Sequence, residues 1–474
     1  MKKFFLASTF VVVLTVSSLL LARTWTDRSG NFSVEAELVE YVDGVAVLKK
    51  EDGTVIRVPL NKLSFDDQKW LREELKRRRA ADTETNEVAV AAENSSASDT
   101  GDWPRWRGPK NDGISPETDL LESWPEEGPP VDWSVRGLGD GFSSVSIANG
   151  KLYTMGRKDG ATQLLCRSAE DGSELWMTRV GGGDRPNCTP TVDVEANLVF
   201  GLSHGGDLLC ANATSGEEVW RKSYKDDFGG RMMSGWGYSE SPLVDGDALI
   251  CTPGGDKAVM VALNKKTGEL LWAAEQGGLG GAGYASPIIS NGAGVKQYLT
   301  LTGRGLIGVA AENGQVLWNY DRIANGTANI PTPIVQGDFV FASTGYGDGG
   351  SGLIKLARNG RGVGYQEIYY KKADELQNHH GGMVMLGDYI YMGHGHNNGF
   401  PVCIDAATGR AVWGPQRGAG GNSAALVAAD GHLYFRYQNG IMALVEATPK
   451  GYNLKGKFRI KSVNGESWPH PVIA

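Results

Sequence analysis

The chain has 474 residues, 66 glycines, 13 tryptophans and a formal net charge of −8. That is too long for one ordinary core unless the core is built from repeats, and so much glycine suits short strands joined by tight turns. The acidic balance excludes an extended nucleic-acid surface, which needs clustered positive charge; the one basic run, Lys76–Arg79, reads as the solvated end of a helix.

Residues 1–22, MKKFFLASTFVVVLTVSSLLLA, place two lysines before an apolar run and read as an export signal. Cleavage after Ala22 is one outcome; retention of residues 4–22 as a membrane anchor is the other. Residues 23–79 form a first module. Strand-like runs NFSVEAELVEYV, VAVLKKED and TVIRVPL are joined by turns at Asp43-Gly44 and Asp52-Gly53, and Ser64 with Asp67 makes a capping box for a helix with a basic tail. The wording of RTWTD through VPLNKLSFDDQKWL resembles the SH3-like module called SLA homology domain one, which implies binding to a protein partner and no catalysis. Residues 80–101 are acidic, rich in Ala, Ser and Thr, and predict a disordered linker.

Residues 102–474 repeat. AEDGSELW, ATSGEEVW, NKKTGELLW, AENGQVLW and AATGRAVW share one turn and one tryptophan. Trp133, Trp176, Trp220, Trp272, Trp318, Tyr369, Trp413 and Phe458 mark the frame at intervals of 43 to 52 residues, alternating with phrases such as CTPTV, ESPLV, ASPII and PTPIV. Four short antiparallel strands at that period describe a propeller blade. The glycine tolerates positive φ in the hairpin before the last strand, and the tryptophan packs against the next blade, so Trp133, Trp176, Trp220, Trp272, Trp318 and Trp413 are structural repeat residues. Cys166, Cys210 and Cys403 each lie ten residues before a repeat tryptophan, where Ala262 and Gly308 stand in other units. The slot reads as a small buried position, and the thiols as unbridged. Seven units are complete. VDWSVR (131–136) and SWPHPVI (467–473) supply one outer and one inner strand of an eighth, which is either incomplete or cut short at Ala474.

The phrase DAATGRAVW resembles the tryptophan-docking repeat of pyrroloquinoline-quinone (PQQ) propellers, a superfamily that includes quinone-dependent alcohol dehydrogenases and the cofactor-free assembly lipoprotein BamB. The resemblance covers nearly all of 102–474 and implies the fold while leaving function open. Function must lie where the repeats differ. The loops entering the inner strands bring Arg185, Trp236, Tyr238, Glu240, Tyr284, Asn329 and Trp468 toward one channel mouth, a mixture that suits a polar ligand or a peptide, or simply packs the channel. Glu240 and Asn329 could imitate the calcium ligands of the dehydrogenases and Trp468 or Trp236 their aromatic platform, although only Asp140 and Asp184 offer a base. His379, His380, His394 and His396 fall in two loops of one blade and could bind zinc or copper, or be loop histidines beside turn glycines.

The sequence thus reads as all-β: an eight-bladed PQQ-like propeller, its eighth blade incomplete, preceded by a small SH3-like β module with a C-terminal helix. It is expected to be a periplasmic or secreted non-catalytic binding or scaffold protein with a protein, peptide or glycan partner and no nucleic acid. A PQQ- and calcium-dependent alcohol dehydrogenase is the alternative, and a metal-dependent enzyme at the blade-six histidines a third reading. No catalytic residue is assigned.

Overall fold

The computed structural model describes residues 23–28, 32–42, 45–59, 62–64, 66–68, 70–71 and 74, and all of 101–474 except 361, 462 and 464. The expected export signal, and the linker apart from Gly101, lie outside the described residues. Two compact units divide the chain, residues 1–92 and 93–474.

In the first unit four antiparallel strands, Arg23–Thr26, Ser33–Val42, Val45–Lys49 and Val55–Pro59, run as a simple meander. Period-two alternation turns Ala36 and Leu38, then Ala46 and Leu48, onto buried Trp25. Half of the capping box forms: the Asp67 amide donates to Ser64 Oγ at 3.1 Å, whereas the Ser64 amide donates to the Thr26 carbonyl and the Asp67 carboxylate accepts from the Ser64 hydroxyl at 2.8 Å and from the Thr26 amide at 2.7 Å. Asp67 also pairs with Arg23 at 2.6 Å, whose guanidinium lies 4.1 Å over the Trp70 ring.

Among its described residues the second unit contains seven four-stranded antiparallel sheets, each in simple sequence order. Blades one to seven span Ser146–Gly181, Thr191–Ser223, Leu243–Ala273, Ile288–Tyr320, Ile334–Lys372, Asn378–Trp413 and Ala424–Arg459. The small slot has a direct cause. Trp176, Trp220, Trp272, Trp318 and Trp413 stand opposite Cys166, Cys210, Ala262, Gly308 and Cys403 on the neighbouring strand, and in each case the register shifts immediately after that residue. A bulky partner would collide with the indole: a Cβ on Gly308 would lie 2.4 Å from Trp318. All five cysteines are free and buried, as a packing role requires.

The turn glycine has a second task. The indole of one blade lies on the turn glycine of the next, so that a Cβ on Gly172, Gly216, Gly268 or Gly314 would meet Trp133, Trp176, Trp220 or Trp272 at 2.6–2.8 Å (for Gly172 the Val135 side chain is nearer still, at 2.7 Å). Trp133, Trp220, Trp272 and Trp413 donate their indole N–H to the carbonyls of Ala169, Lys265, Ala311 and Thr448 in those turns, at 2.8–3.1 Å. Trp176 is left without a partner, and the corresponding carbonyl, Ala213, accepts from Tyr153. Trp318 departs from the pattern: it donates to Gln297 of its own blade, while the long outer hairpin of blade five lays Tyr365 against it. Gly268 and Gly246 separate the two demands, since both have positive φ but only Gly268 lies under a ring. Gly268→Ala is expected to cost about 2–3 kcal/mol and Gly246→Ala about 1 kcal/mol or less, read from urea midpoints.

The eighth sector contains no strand among its described residues. This corrects the expectation for 131–136 and 467–473: no middle strands stand between them, so neither segment has a ladder to join. Both nevertheless occupy blade positions. Trp133 docks on Gly172, as the other repeat tryptophans do, and Gly128 lies under Phe458 as a turn glycine would. His470 stands where other blades carry Ser144, Thr189, Ser241 and Ser286, and joins their belt. The His470 amide donates to Ser144 Oγ, the Ser144 amide to Thr189, the Thr189 amide to Ser241 and the Ser241 amide to Ser286, at 2.7–3.2 Å. Side chains fill the gap, with Trp103, Leu120, Trp124, Val472 and Ile473 packed on Val427 and Tyr434.

The channel is occupied by the opening WPRWRGP. Trp103 bridges Ile147 of blade one, Pro104 accepts from Val192 of blade two, and Arg105 donates to Val244 of blade three. Trp106 donates to Thr332 before blade five at 3.0 Å and lies 4.5 Å from the His470 ring. Arg107, fully buried, donates to the carbonyls of Asn111, Asp112 and Met383 of blade six, and burial pushes its pKa down to about 10. Ile114 then pairs with Ala428 of blade seven. One short segment therefore crosses the axis and is fastened to six blades. The cavity beside Trp106 measures about 10 Å³, room for one water.

Candidate binding face

Entry loops and the loops joining the middle strands meet on one face, as the contact of Tyr346 with His379 and of Trp468 with Gln438 requires. The seven residues expected at the mouth separate into two groups. Arg185 and Trp468 come together through Phe142: the guanidinium lies 4.8 Å over the phenyl ring, which stacks on the indole at 4.2 Å. Trp236 is 54% exposed, on a loop tied to blades four and five through the Met233 amide to Ala282 and Ser234 Oγ to Thr327.

Tyr238, Glu240, Tyr284 and Asn329 are buried. Tyr238 donates to the Pro253 carbonyl, and Tyr284 OH bonds Ser234 at 2.5 Å. Glu240 Oε1 accepts from Tyr224 OH and the Thr252 amide, both at 2.7 Å, while Oε2 is buried without a partner. Burial pushes this carboxyl's pKa up, against the opposing pull of those hydrogen bonds. Asn329 spends its amide on the Thr302 carbonyl and on Asn325. These four build the wall and do not line the opening.

Three of the four blade-six histidines converge. His379 lies 4.3 Å from His380 and 4.4 Å from His396, ring centre to ring centre. His394 is committed elsewhere, accepting the Gln377 amide on Nδ1 at 3.2 Å. The nitrogens of His379 face hydroxyls, Ser423 at 2.8 Å and Tyr346 at 3.2 Å. Among the described residues no group of three or more His, Cys, Asp or Glu side chains is disposed to hold a metal ion. Burial, reinforced by neighbouring imidazoles, lowers His379 to a pKa of about 2; burial likewise lowers His380 and His470 to about 3. At neutral pH these three rings are uncharged. Phe142, Tyr346 and Ser423 were not expected at the site, although Phe142 is the one aromatic residue in GDGFSS and Tyr346 stands alone among the glycines of TGYGDGG.

Residues 185–415 match the family model described as outer membrane protein assembly factor BamB, and residues 19–79 match SLA1 homology domain 1. The chain joins a BamB-like, PQQ-type repeat domain to an SLA1 homology domain. The tetrathionate hydrolase of Acidithiobacillus ferrooxidans is 24% identical over 283 residues, 55% of this chain and 50% of the hydrolase. The actin cytoskeleton-regulatory complex protein sla1 of Schizosaccharomyces pombe is 51% identical over 45 residues, 10% of this chain and 3% of that protein. The chain thus spans half or less of these curated relatives. Among solved structures, the quinohemoprotein alcohol dehydrogenase of Comamonas testosteroni superposes with a TM-score of 0.51 at 11% identity, covering 81% of this chain and 77% of that one. That likeness shows the fold.

The BamB-like domain does not fit PQQ with calcium at the positions expected. A calcium ion needs six to eight oxygens, with carboxylates ionised. Glu240 is held in an environment that favours its neutral form, and Asn329 has no oxygen to spare. The axis is filled by Trp106, Arg107 and His470.

Proposed function

We propose that the protein is an exported, non-catalytic binding scaffold, in which the SLA1 homology domain engages a protein partner and the propeller presents its mouth face to a ligand. The observation that carries this reading is the commitment of Glu240 and Asn329 to internal hydrogen bonds beside a plugged channel, together with two exposed recognition groups at the surface, Trp236 and an Arg185 held over Phe142. Exposed Trp and Arg are the side chains that most often anchor protein contacts. Export to the periplasm or beyond rests on residues 1–22; no helix among the described residues is long and apolar enough to cross a membrane.

The test is titration of the purified protein with PQQ and calcium, followed by dye reduction with simple alcohols. Neither binding heat nor turnover is expected. Micromolar binding with alcohol-dependent reduction would replace the scaffold reading with the quinoprotein one, and Glu240→Gln would then be the decisive variant.

A further inference from the structure

We propose that the mouth of the propeller binds a neutral oligosaccharide along an arc of rings running from Phe142 through Trp468, His380 and His379 to His396 and Tyr346. This deepens the binding reading above and rests on it. The arc is continuous: Phe142 on Trp468 at 4.2 Å, Trp468 to His380 at 5.2 Å, His380 to His379 at 4.3 Å, His379 to His396 at 4.4 Å and Tyr346 to His396 at 4.8 Å.

Its polar groups are neutral donors and acceptors: imidazole, phenol, hydroxyl and amide. Ser423 Oγ lies between His379 at 2.8 Å and Asn397 Oδ1 at 3.0 Å, and Asn397 and Asn422 are exposed residues. His380 Nε2 is buried with no partner. Burial holds the His379 and His380 rings uncharged at neutral pH.

Three of the loop residues here adopt left-handed backbone. Tyr346, His396 and Asn422 are non-glycine residues at φ of 67°, 39° and 64°. Left-handed backbone is readily adopted by asparagine and histidine but is unfavourable for a tyrosine, and at Tyr346 it persists where the surroundings enforce it. Tyr346 and His396 both lie against the His379 ring.

A sugar ring alternates apolar C–H faces with hydroxyl edges. Aromatic faces interleaved with neutral hydrogen-bonding groups match both. Of the cations at the arc, Arg185 already lies over Phe142 and Arg436 donates to the carbonyls of Ser467 and Pro469 on either side of Trp468, while Asp140, Asp184 and Asp348 are exposed in neighbouring loops. Sulfated or uronic glycans would meet that acidic fringe unfavourably. A metal ion would need the converging ligand group that the described residues lack.

The experiment is calorimetry of the full protein against cellohexaose, xylohexaose, laminarihexaose, mannohexaose and N-acetylchitohexaose, with hexagalacturonate as the anionic comparison. At least one neutral hexamer is expected to bind with a Kd between roughly 10 μM and 1 mM. Trp468→Ala and His379→Gln are expected to weaken it at least about tenfold. Asn397→Ala, at an exposed position where two hydrogen bonds to Ser423 would be lost, should weaken it with only a small fall in melting temperature and covers the case in which the other variants misfold. Leu271→Ala, on an outer strand, should leave it unchanged. No heat from any neutral hexamer at about 5 mM overturns the proposal; so does binding of hexagalacturonate alone, or neutral-sugar binding that Asn397→Ala and His379→Gln leave intact. Failure here leaves the scaffold reading standing, whereas PQQ turnover removes that reading whatever the sugars do.

Discussion

Truncating Trp103 to alanine is expected to lower the stability of the propeller by about 3–5 kcal/mol, the range for loss of a fully buried large aromatic. Trp103 is 2% exposed, and it does two things at once: its backbone pairs with Ile147, and its ring fills the sector that has no strands. Arg107→Met should cost as much for a different reason. The guanidinium donates to three carbonyls, those of Asn111, Asp112 and Met383, and methionine would remove all three bonds, the one to Met383 from a buried site. Because both residues belong to one segment, the double variant should fall short of the sum. Trp236→Ala, at a 54% exposed position, should change stability by no more than about 0.5 kcal/mol. Urea midpoints followed by tryptophan fluorescence decide the matter. A Trp103→Ala protein as stable as the parent would mean that the WPRWRGP segment merely lies in the channel without holding it together.

Acidification should act as strongly. His379, His380 and His470 sit at about 2, 3 and 3 in the fold, against about 6.5 for an unfolded histidine. Below pH 6.5 the unfolded chain binds protons that the folded chain refuses, so stability falls as pH falls, throughout the window from 6.5 down to about 3. Each ring contributes about 1.4 kcal/mol per pH unit, or roughly 4 kcal/mol per unit for the three. Burial is the main cause. His396 beside His379 and His380, and Arg107 and Arg436 near His470, press in the same direction. Glu240 works in the opposite sense, since its folded pKa is raised, so the comparison should be made within one histidine variant series. Denaturation midpoints at pH 8, 6.5, 5.5 and 5 for the parent and His380→Gln should show a steep decline that the variant reduces by about one third. A flat profile would mean that these rings accept protons in the folded state.

The blades were legible because their determinants are local and recur. A turn glycine, a small residue and a tryptophan at fixed separations specify the hairpin, the cross-strand pair and the joint to the next blade. The plug was not legible. WPRWRGP occurs once, carries no period, and draws its partners from six blades spread over more than two hundred residues. The mouth was half legible for a related reason. Which residues stand in the entry loops follows from the repeat, but whether they face outward depends on partners from other elements. Tyr224 and Thr252 draw Glu240 inward; Thr302 and Asn325 do the same for Asn329. Phe142 turns outward because Trp468, from the far end of the repeat array, stacks on it.

The crossing of the axis also has a mechanical consequence. Gly101 leads directly into a segment laced to blades one, two, three, five, six and seven, so a pull on the chain at that point would not peel off one edge strand. The load would be shared across the inner strands of most of the ring, as a drawstring shares it round the mouth of a bag. Resistance to traction would then depend on many short hydrogen bonds breaking together.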